Sequence, residues 1–369
     1  MVKKIREFIS KETVLCVAAA CAILTMFFVP PDQEYLHYID FRVLCLLLCL
    51  MGVVAGLQDI GIFNWLTYQL LHRIRSGRIL SLTLVLLPFF CSMFVTNDVA
   101  LIIFIPFTLM LLGKLGYSHK IIPITVFQTI AANLGSMATP VGNPQNLYLY
   151  AFYNIGIQDF FSVTLPLTVF SMIALSVAAL FLLPAKIPDQ KPDFVRISSA
   201  KNLLIYFALF LLCLLTVFRI VPYLLTTAIT VGALFLVNKK LLRKIDYMLL
   251  LTFVCFFTVS ENLGRLDAVR TFLQQLLQWN TLLTAVGASQ VISNVPAAVV
   301  LSGFTNQWQL MLAGVNIGGL GTPIASLASL ITMKFYMSWP GSKIAKFFAY
   351  FIAANLIGLA VLLLYMQII

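Results

Sequence analysis

Apolar runs that are long enough to cross a membrane follow one another along almost the whole chain. The runs at 159–184 and 343–366 are the longest, and each exceeds the roughly 20 apolar residues that a spanning helix needs. Of the 369 residues, 61% are hydrophobic and only 10% are charged, whereas a soluble domain carries roughly 25% charged residues. So little polar surface cannot cover a water-soluble particle, which excludes a soluble enzyme and a nucleic-acid-binding protein. The sequence therefore predicts an all-α polytopic membrane protein that lies in the lipid bilayer.

The Lys and Arg residues indicate how the chain is oriented in the membrane. The formal net charge is +11, and cytoplasmic loops of membrane proteins are enriched in Lys and Arg. The rule holds at every loop if Arg42, Arg219, Arg265 and Arg270 lie outside and the other basic residues lie inside. The inside groups are at 3–11, 73–78, 114–120, 186–201, 239–244 and 334–346. This arrangement predicts that the N-terminus lies in the cytoplasm and the C-terminus outside.

Polar and helix-breaking residues divide the apolar runs into about nine spanning helices, of which two are broken helices, and two re-entrant hairpins. The first repeat, residues 1–190, is predicted to hold spans at 14–30 and 41–57, a hairpin at 79–113, a broken span at 121–153 and a span at 159–184. Residues 191–221 form a linker and a connecting span at 202–218. The second repeat, residues 222–369, holds spans at 222–237 and 246–262, a hairpin at 281–304, a broken span at 308–338 and a span at 343–366.

Segment length favours the two hairpins to different degrees. The segment 281–304 is too short to cross twice, and Trp279 and Trp308 flank it as anchors at one interface would. The two arms of 79–113 could just cross, so a double crossing stays open there. The first run, 14–30, follows basic residues as a signal peptide does, but its length favours an uncleaved first span.

Two short motifs recur in the same order in both halves. The segment 133–140 matches 316–323, with Asn, Gly, Thr and Pro at the same spacing. Upstream, Thr96-Asn97 matches Ser293-Asn294 at the predicted hairpin tips. Under the charge-derived topology the two halves have opposite orientations. Inverted repeats with broken helices are the architecture of secondary transporters.

Each hairpin tip is expected to leave backbone groups without partners inside the membrane, where one helix stops and another starts. Thr96, Asn97, Ser293 and Asn294 are good N-cap residues, so capping alone would explain them. The alternative is that the same hydroxyl, amide and carbonyl groups bind Na⁺, while the helix N-termini receive an anion. The occurrence of the motif in both halves favours ion binding.

Asp98 is the most informative single residue, because a carboxylate deep in a membrane is costly and marks ion pathways. It could bind a cation or carry a proton. The alternative is a first-turn aspartate that stabilises a helix N-terminus. The equivalent position in the second half is Val295, so the predicted site is asymmetric in charge.

The two breaks supply neutral polar groups and flexible backbone. A buried polar loop without a ligand leaves groups unpaired at a cost of about 1–3 kcal/mol each, which favours a binding site over hydrogen bonding between helices. The candidate ion- and substrate-binding residues are Thr96, Asn97, Asp98, Asn133, Thr139, Gly142, Asn143, Asn146, Ser293, Asn294, Asn316, Gly318 and Thr322. Of these, Thr96, Asn97, Asp98, Ser293 and Asn294 are the candidate Na⁺ ligands.

Motifs for catalysis and nucleotide binding are absent from the sequence. There is no His-Glu-x-x-His, no Gly-x-Ser-x-Gly and no Walker-type loop. A membrane-embedded enzyme would need a nucleophile and a base, and Ser289 has no intramembrane histidine beside it. No cofactor is expected beyond Na⁺ or H⁺ as a coupling ion.

The motifs resemble those of the ion-transporter superfamily. This group includes divalent-anion:sodium symporters, citrate transporters, arsenite permeases and NhaD-type sodium–proton antiporters, together with small YbiR-like anion permeases of similar length. The resemblance rests on Thr96-Asn97-Asp98, on Ala138-Thr139-Pro140-Val141-Gly142-Asn143-Pro144-Gln145-Asn146 and on Ser293-Asn294-Val295-Pro296. It implies a homodimer that moves a transport domain by an elevator motion.

The resemblance also separates the branches of the superfamily. Members of the symporter branch have Ser-Asn-Thr at both tips, where they bind Na⁺ and carboxylate. Thr96-Asn97-Asp98 is closer to the arsenite-permease and antiporter branch, which implies coupling through Asp98 with Na⁺ or H⁺. The leading hypothesis is a secondary transporter of a small anion, either a carboxylate or an inorganic oxyanion. The alternatives are sodium–proton antiport and efflux of arsenite or antimonite, a neutral oxyacid.

Overall fold

The computed structural model describes residues 12–71, 74, 76–184 and 197–368. The basic groups at 3–11 and 186–196, and the arginines at 73 and 75, lie outside the described residues. The orientation predicted from charge therefore rests partly on residues that the structure does not describe, and it stays a prediction.

Sixteen α-helices make up the described part of the chain. In chain order they are α1 (Thr13–Phe28), α2 (Phe41–Asp59), α3 (Ile62–Leu71), α4 (Gly77–Val95), α5 (Asn97–Lys114), α6 (Ile121–Ser136), α7 (Pro144–Phe152), α8 (Ile157–Ala179), α9 (Ala200–Val217), α10 (Tyr223–Asn238), α11 (Tyr247–Gly264), α12 (Asp267–Ile292), α13 (Asn294–Ser302), α14 (Trp308–Ile317), α15 (Leu327–Met337) and α16 (Ile344–Met366).

Helix length and composition confirm an all-α polytopic membrane protein. Seven helices in the described part, α2, α4, α5, α8, α9, α11 and α16, are long and apolar enough to cross a membrane. The apolar helices α1, α10 and α15 are shorter. The helix bounds follow the predicted spans closely, because apolar length and breaking residues are local signals.

The second hairpin begins earlier than the predicted residue 281. Helix α12 starts at Asp267 and bends at Asn280, whose backbone leaves the helical region at φ −164° and ψ 99°. The Asn280 side chain restarts the helix by accepting a hydrogen bond from the Leu283 amide at 2.9 Å. The part before the bend mixes polar residues with exposed apolar ones such as Phe272 and Trp279, so it lacks the continuous apolar run that predicted the other helices. Helix α3 was also not predicted.

Ion pairs at the two ends of α2 fix its direction relative to α11. Lys244, just before α11, lies 2.5 Å from Asp59 at the end of α2. Arg265, just after α11, lies 2.7 Å from Asp32, which precedes α2. The hydrogen bond from Arg265 lowers the pKa of the Asp32 carboxyl. The two helices, which occupy equivalent places in the predicted repeats, are therefore antiparallel.

The helices that precede α2 and α11 are exchanged between the two halves. Helix α1 packs against α11, and α10 packs against α2. Each half therefore contributes one helix that packs against the other half in the equivalent place, which supports the proposed repeat. The repeat boundaries at 1–190, 191–221 and 222–369 remain predictions.

The two broken helices, α6–α7 and α14–α15, also run in opposite directions. Helix α6 begins next to the base of the first hairpin. After α7, the Tyr153 hydroxyl donates to the Thr305 carbonyl at 3.0 Å, at the base of the second hairpin. Helix α14 starts from that second base, and after α15 Trp339 contacts Gly113 at the first base, where a Cβ would come within 2.9 Å of the indole. The hairpins therefore enter from opposite ends of the broken helices.

The buried apolar side chains form two main clusters. One is centred on α2, α9 and α11, and the other on α4, α5, α6 and α16. Helix α6 belongs to the second cluster and α7 to the first, so the break between them lies where one cluster gives way to the other.

Candidate ion and substrate site

Both hairpin tips have the same strained backbone. Thr96 joins α4 to α5 with φ 72° and ψ 151°, and Ser293 joins α12 to α13 with φ 74° and ψ 155°. A residue with a Cβ rarely adopts this conformation, which costs of order 1–3 kcal/mol and clusters at functional sites. Neither hydroxyl caps the helix that follows it. Capping therefore does not explain Thr96 or Ser293.

A threonine from each break holds the hairpin of its own half. The Thr139 hydroxyl donates to the Met93 carbonyl, and the Thr322 hydroxyl donates to the Gln290 carbonyl at 3.0 Å. Both acceptors lie one helical turn before the strained tip residue. Each tip is thereby fixed against the break that follows it in sequence.

Asparagine side chains link the tips and the breaks into one buried network. Asn133 Oδ1 accepts hydrogen bonds from Asn97 Nδ2 at 2.8 Å and from the Ser326 hydroxyl at 3.0 Å. A further bond joins the two breaks: Asn316 Nδ2 of the second half donates to Asn146 Oδ1 of the first at 2.7 Å. The bonds between Asn133 and Ser326 and between Asn316 and Asn146 cross from one half to the other, whereas the bond between Asn97 and Asn133 lies within the first half.

The second tip joins the same network through backbone groups. The Asn294 amide donates to the Ala325 carbonyl at 3.0 Å, and Asn133 Nδ2 donates to the Gly319 carbonyl at 3.3 Å. The structure therefore brings the candidate residues of both halves together at one place inside the protein.

The two candidate glycines serve close packing of backbone at the breaks. A Cβ on Gly142 would collide with the Ser136 carbonyl oxygen. A Cβ on Gly318 would come within 2.8 Å of the Ser289 hydroxyl. Gly142 therefore lets the backbone fold tightly at the first break, and Gly318 lets helix α12 approach the second break closely.

A cavity of about 290 Å³ reaches the first tip. Thr96, Asp98 and Asn143 line its inner part, and Lys244 and Asp246 line it at the loop before α11. Asp98 Oδ1 and Asn143 Oδ1 are buried, and neither has a hydrogen-bond partner among the residues that the structure describes. Two buried oxygen acceptors without a described partner therefore belong to residues that line the cavity, and the one on Asp98 carries a negative charge when ionised.

The structure also identifies residues that the sequence did not single out. Lys244 belongs to a basic group that was used only to predict orientation, and its place on the cavity depends on long-range packing. Gln290 contacts the second break through its side chain. A polar residue inside the apolar run 281–293 was the available signal for it.

The arrangement gives no support to an enzyme site. The Ser289 hydroxyl donates to the Ala285 carbonyl of its own helix at 2.7 Å. His37 and His119 lie in short connecting turns, and His72 is outside the described residues. Within the described ranges, no group of three or more His, Cys, Asp and Glu side chains could hold a metal ion.

Comparison with known proteins places this architecture in a family. Residues 4–307 match the family described as the citrate transporter. The chain belongs to the citrate transporter family. The predicted resemblance to the ion-transporter superfamily and to YbiR-like proteins is thereby confirmed, and the protein is a membrane transporter.

Relatives support the same identification. The chain is 34% identical to an uncharacterized transporter of Methanocaldococcus jannaschii over 303 residues, which is 82% of this chain and 83% of the relative. It is 31% identical to the inner membrane protein YbiR of Escherichia coli over 321 residues, 84% of this chain and 83% of that protein. It is also 32% identical to a silicon efflux transporter of rice over 147 residues, 39% of this chain and 30% of the rice protein.

Proposed function

We propose that this citrate transporter family member is a secondary active transporter that moves a small anion, either a carboxylate or an inorganic oxyanion, with Na⁺ or H⁺ as the coupling ion. The observation that carries the proposal is a pair of unpartnered buried oxygens, Asp98 Oδ1 and Asn143 Oδ1, on residues that line the cavity. Buried polar atoms are nearly always hydrogen-bonded. Two free acceptors beside a strained tip therefore favour a bound cation or proton.

The chemistry of the first tip suits a small hard cation. Such cations prefer oxygen ligands, and interrupted helices supply carbonyl oxygens for Na⁺ in other transporters. Asp98 supplies the charge, and Thr96 and Asn143 supply neutral oxygens on the same cavity. If the coupling ion is H⁺, Asp98 is its carrier.

The anion would bind next to this cation. Neither tip contains a Lys or Arg, so the anion depends on helix N-termini and on the bound cation for its counter-charge. An anion that needs the cation in order to bind is coupled to it, since each ligand then raises the affinity for the other.

Assembly and orientation form part of the proposal. By family resemblance the protein is a homodimer in a bacterial inner membrane, with its N-terminus in the cytoplasm and its C-terminus outside. Light scattering of the detergent-purified protein should give the protein mass of two chains. A protease that is added outside whole cells should remove a C-terminal tag and leave an N-terminal tag intact.

Thermal unfolding of the detergent-purified protein tests the ligand. The protein is heated in Na⁺ or choline, with and without carboxylates and inorganic oxyanions. A ligand that binds only the folded state stabilises it by about 2.7 kcal/mol at a hundredfold excess over its Kd. Anion stabilisation that requires Na⁺, or a low pH, supports the proposal.

Transport by reconstituted protein tests the site. Asn97→Ala and Asn294→Ala should each abolish uptake of the stabilising anion into proteoliposomes while leaving expression intact, because each removes the amide at one tip. Full transport by both variants would exclude the proposed site.

The rice relative favours a second candidate function. Its name describes silicon efflux, and silicic acid, like arsenite, is a neutral oxyacid at pH 7. If the protein exports an oxyacid or exchanges Na⁺ for H⁺, its unfolding temperature should respond to Na⁺ or to pH. No anion should change that temperature. Cells that carry the gene would then gain resistance to arsenite or antimonite, or show Na⁺ flux driven by a pH gradient.

A further inference from the structure

The side chain of Gln290 fills the second break with its own hydrogen bonds. Gln290 Nε2 donates to the carbonyls of Gly318 and Leu320, each at 2.9 Å, and Oε1 accepts from the Thr322 amide at 2.8 Å. Two carbonyl oxygens of the break therefore converge on one amide nitrogen. The carbonyl of Val286, in the helix of Gln290 itself, lies 3.3 Å from the same nitrogen.

The equivalent position in the first half is Met93, which has no donor. Thr139 binds the Met93 carbonyl as Thr322 binds that of Gln290, which establishes the equivalence from the structure. The carbonyls of the first break, at Ser136, Met137 and Thr139, lie 3.2–3.4 Å from the single side-chain amide of Asn146. The Thr139 carbonyl also accepts from the Gly142 backbone amide at 3.3 Å. These contacts are longer than the 2.9 Å contacts that Gln290 makes.

The two tips also differ in charge, and this difference, like that in hydrogen bonding, favours a cation at the first tip. Asp98 follows the first tip, and Val295 occupies the matching place after the second. A cation at the first tip is balanced by a carboxylate with a free oxygen. A cation at the second tip would have no such counter-charge and would compete with the amide of Gln290 for the same carbonyl oxygens.

We propose that the protein binds one Na⁺ per chain, at the first hairpin tip, and that the carboxamide nitrogen of Gln290 takes the place of a cation at the second. This inference rests on the proposed function and adds its stoichiometry. One half of the repeat is then an ion site, and the other half is closed by the protein's own side chain. Transport couples to a single Na⁺ in each cycle.

Equilibrium binding of radioactive Na⁺ to the detergent-purified full chain, with thermal unfolding over a Na⁺ titration, tests this stoichiometry. The unmodified protein should bind one Na⁺ per chain. Gln290→Glu replaces the donor by a second acceptor facing the carbonyls of Gly318 and Leu320, so it should bind two. Gln309→Glu, on the exposed side of α14, is the charge-matched control and should bind one.

Met93→Gln, the reciprocal substitution, tests the first tip. Its result does not depend on whether Gln290→Glu folds. Met93→Gln brings a donor to the first break and should weaken Na⁺ binding by about tenfold or more, the effect of losing roughly 1.4 kcal/mol. Met93→Leu is the control of similar size and should bind Na⁺ normally.

Each outcome separates this inference from the proposed function. Two Na⁺ per chain in the unmodified protein, or normal binding by Met93→Gln, would overturn the inference and leave Na⁺-coupled transport intact. Zero Na⁺ per chain would overturn the inference together with the Na⁺ form of the proposed function, and would leave only H⁺ coupling.

Discussion

Thr139 and Thr322 make equivalent hydrogen bonds in the two halves of the protein. Each hydroxyl donates to a backbone carbonyl one turn before a strained hairpin tip, at Met93 in the first half and at Gln290 in the second. The Thr139 hydroxyl also accepts a hydrogen bond from the Gly142 amide at 3.1 Å. The two threonines therefore hold the tips in place, and Thr139 additionally orders its own break.

Replacing these threonines with valine should destabilise the protein to different extents. Thr139→Val removes two hydrogen bonds and Thr322→Val removes one, and each buried partner left unsatisfied costs about 1–3 kcal/mol. We expect a lower unfolding temperature for both variants and a larger decrease for Thr139→Val. Thr83→Val on α4 is the control, because its hydroxyl makes no hydrogen bond to another described side chain or backbone group. Equal decreases in all three variants would contradict the anchoring role.

Asp98→Asn should separate ion binding from folding. The change keeps the shape of the side chain and removes its charge, so Na⁺ stabilisation and coupled transport should be lost. Stability in choline should be unchanged or higher, because an ionised group without a partner is costly to bury. Thermal unfolding in Na⁺ and in choline measures both effects.

The matched control is Asp267→Asn, which changes a first-turn aspartate that is exposed at the start of α12. That variant should retain Na⁺ stabilisation. If Asp98→Asn responds to Na⁺ as the unmodified protein does, Asp98 serves only its helix N-terminus.

The sequence was sufficient to predict most of the helices and the residues of both breaks. Apolar length, prolines and polar interruptions act locally, so they locate α6, α7, α14 and α15 without knowledge of the fold. The recurrence of Asn133 at Asn316 likewise needs only the sequence. What these signals have in common is that they depend on neighbours along the chain.

Contacts between distant segments could not be predicted in this way. Lys244 reaches the cavity only because α11 packs beside α2, and Gln290 reaches Gly318 only because the second hairpin folds against the break. The bend at Asn280 depends on a change of direction within a helix that has no proline or glycine at that point. Each of these features follows from packing, which a hydropathy pattern does not contain.

Glycine at the two tips should stabilise the protein but affect function at only one of them. Thr96→Gly and Ser293→Gly remove the strain of a positive φ, which should stabilise the folded protein by of order 1–3 kcal/mol. The added flexibility of glycine in the unfolded chain offsets roughly 0.5–1 kcal/mol of this gain. Both variants should unfold at a higher temperature. Thr96→Gly should weaken Na⁺ binding, since Thr96 lines the cavity, whereas Ser293→Gly should retain it.

Asn154→Gly is the control for backbone strain. Asn154 has φ 54°, a left-handed conformation that asparagine tolerates, so its replacement should change the unfolding temperature little. Loss of Na⁺ binding in Ser293→Gly would contradict a closed second site.

Lys244 should govern the first contact of the anion with the cavity. It is the cationic residue that lines the cavity within the described part of the chain, and it is held by Asp59 at 2.5 Å. Lys244→Gln should raise the KM for the transported anion and leave the maximal rate nearly unchanged, because the substitution removes attraction at the mouth and not at the tip. Asp59→Asn frees the ammonium group and should lower the KM. Both effects should shrink at high ionic strength, because salt screens exposed charges.

Lys240→Gln is the control for Lys244, since Lys240 is an exposed residue of the same loop that does not line the cavity. Initial rates of anion uptake into proteoliposomes, measured over a range of substrate and salt concentrations, give the KM and the maximal rate. The two substitutions in the ion pair must shift the KM in opposite directions if Asp59 competes with the anion for Lys244. A rise in KM for both variants would show instead that the ion pair acts by holding α2 and α11 together, and an unchanged KM in Lys244→Gln would exclude a role for this lysine in anion capture.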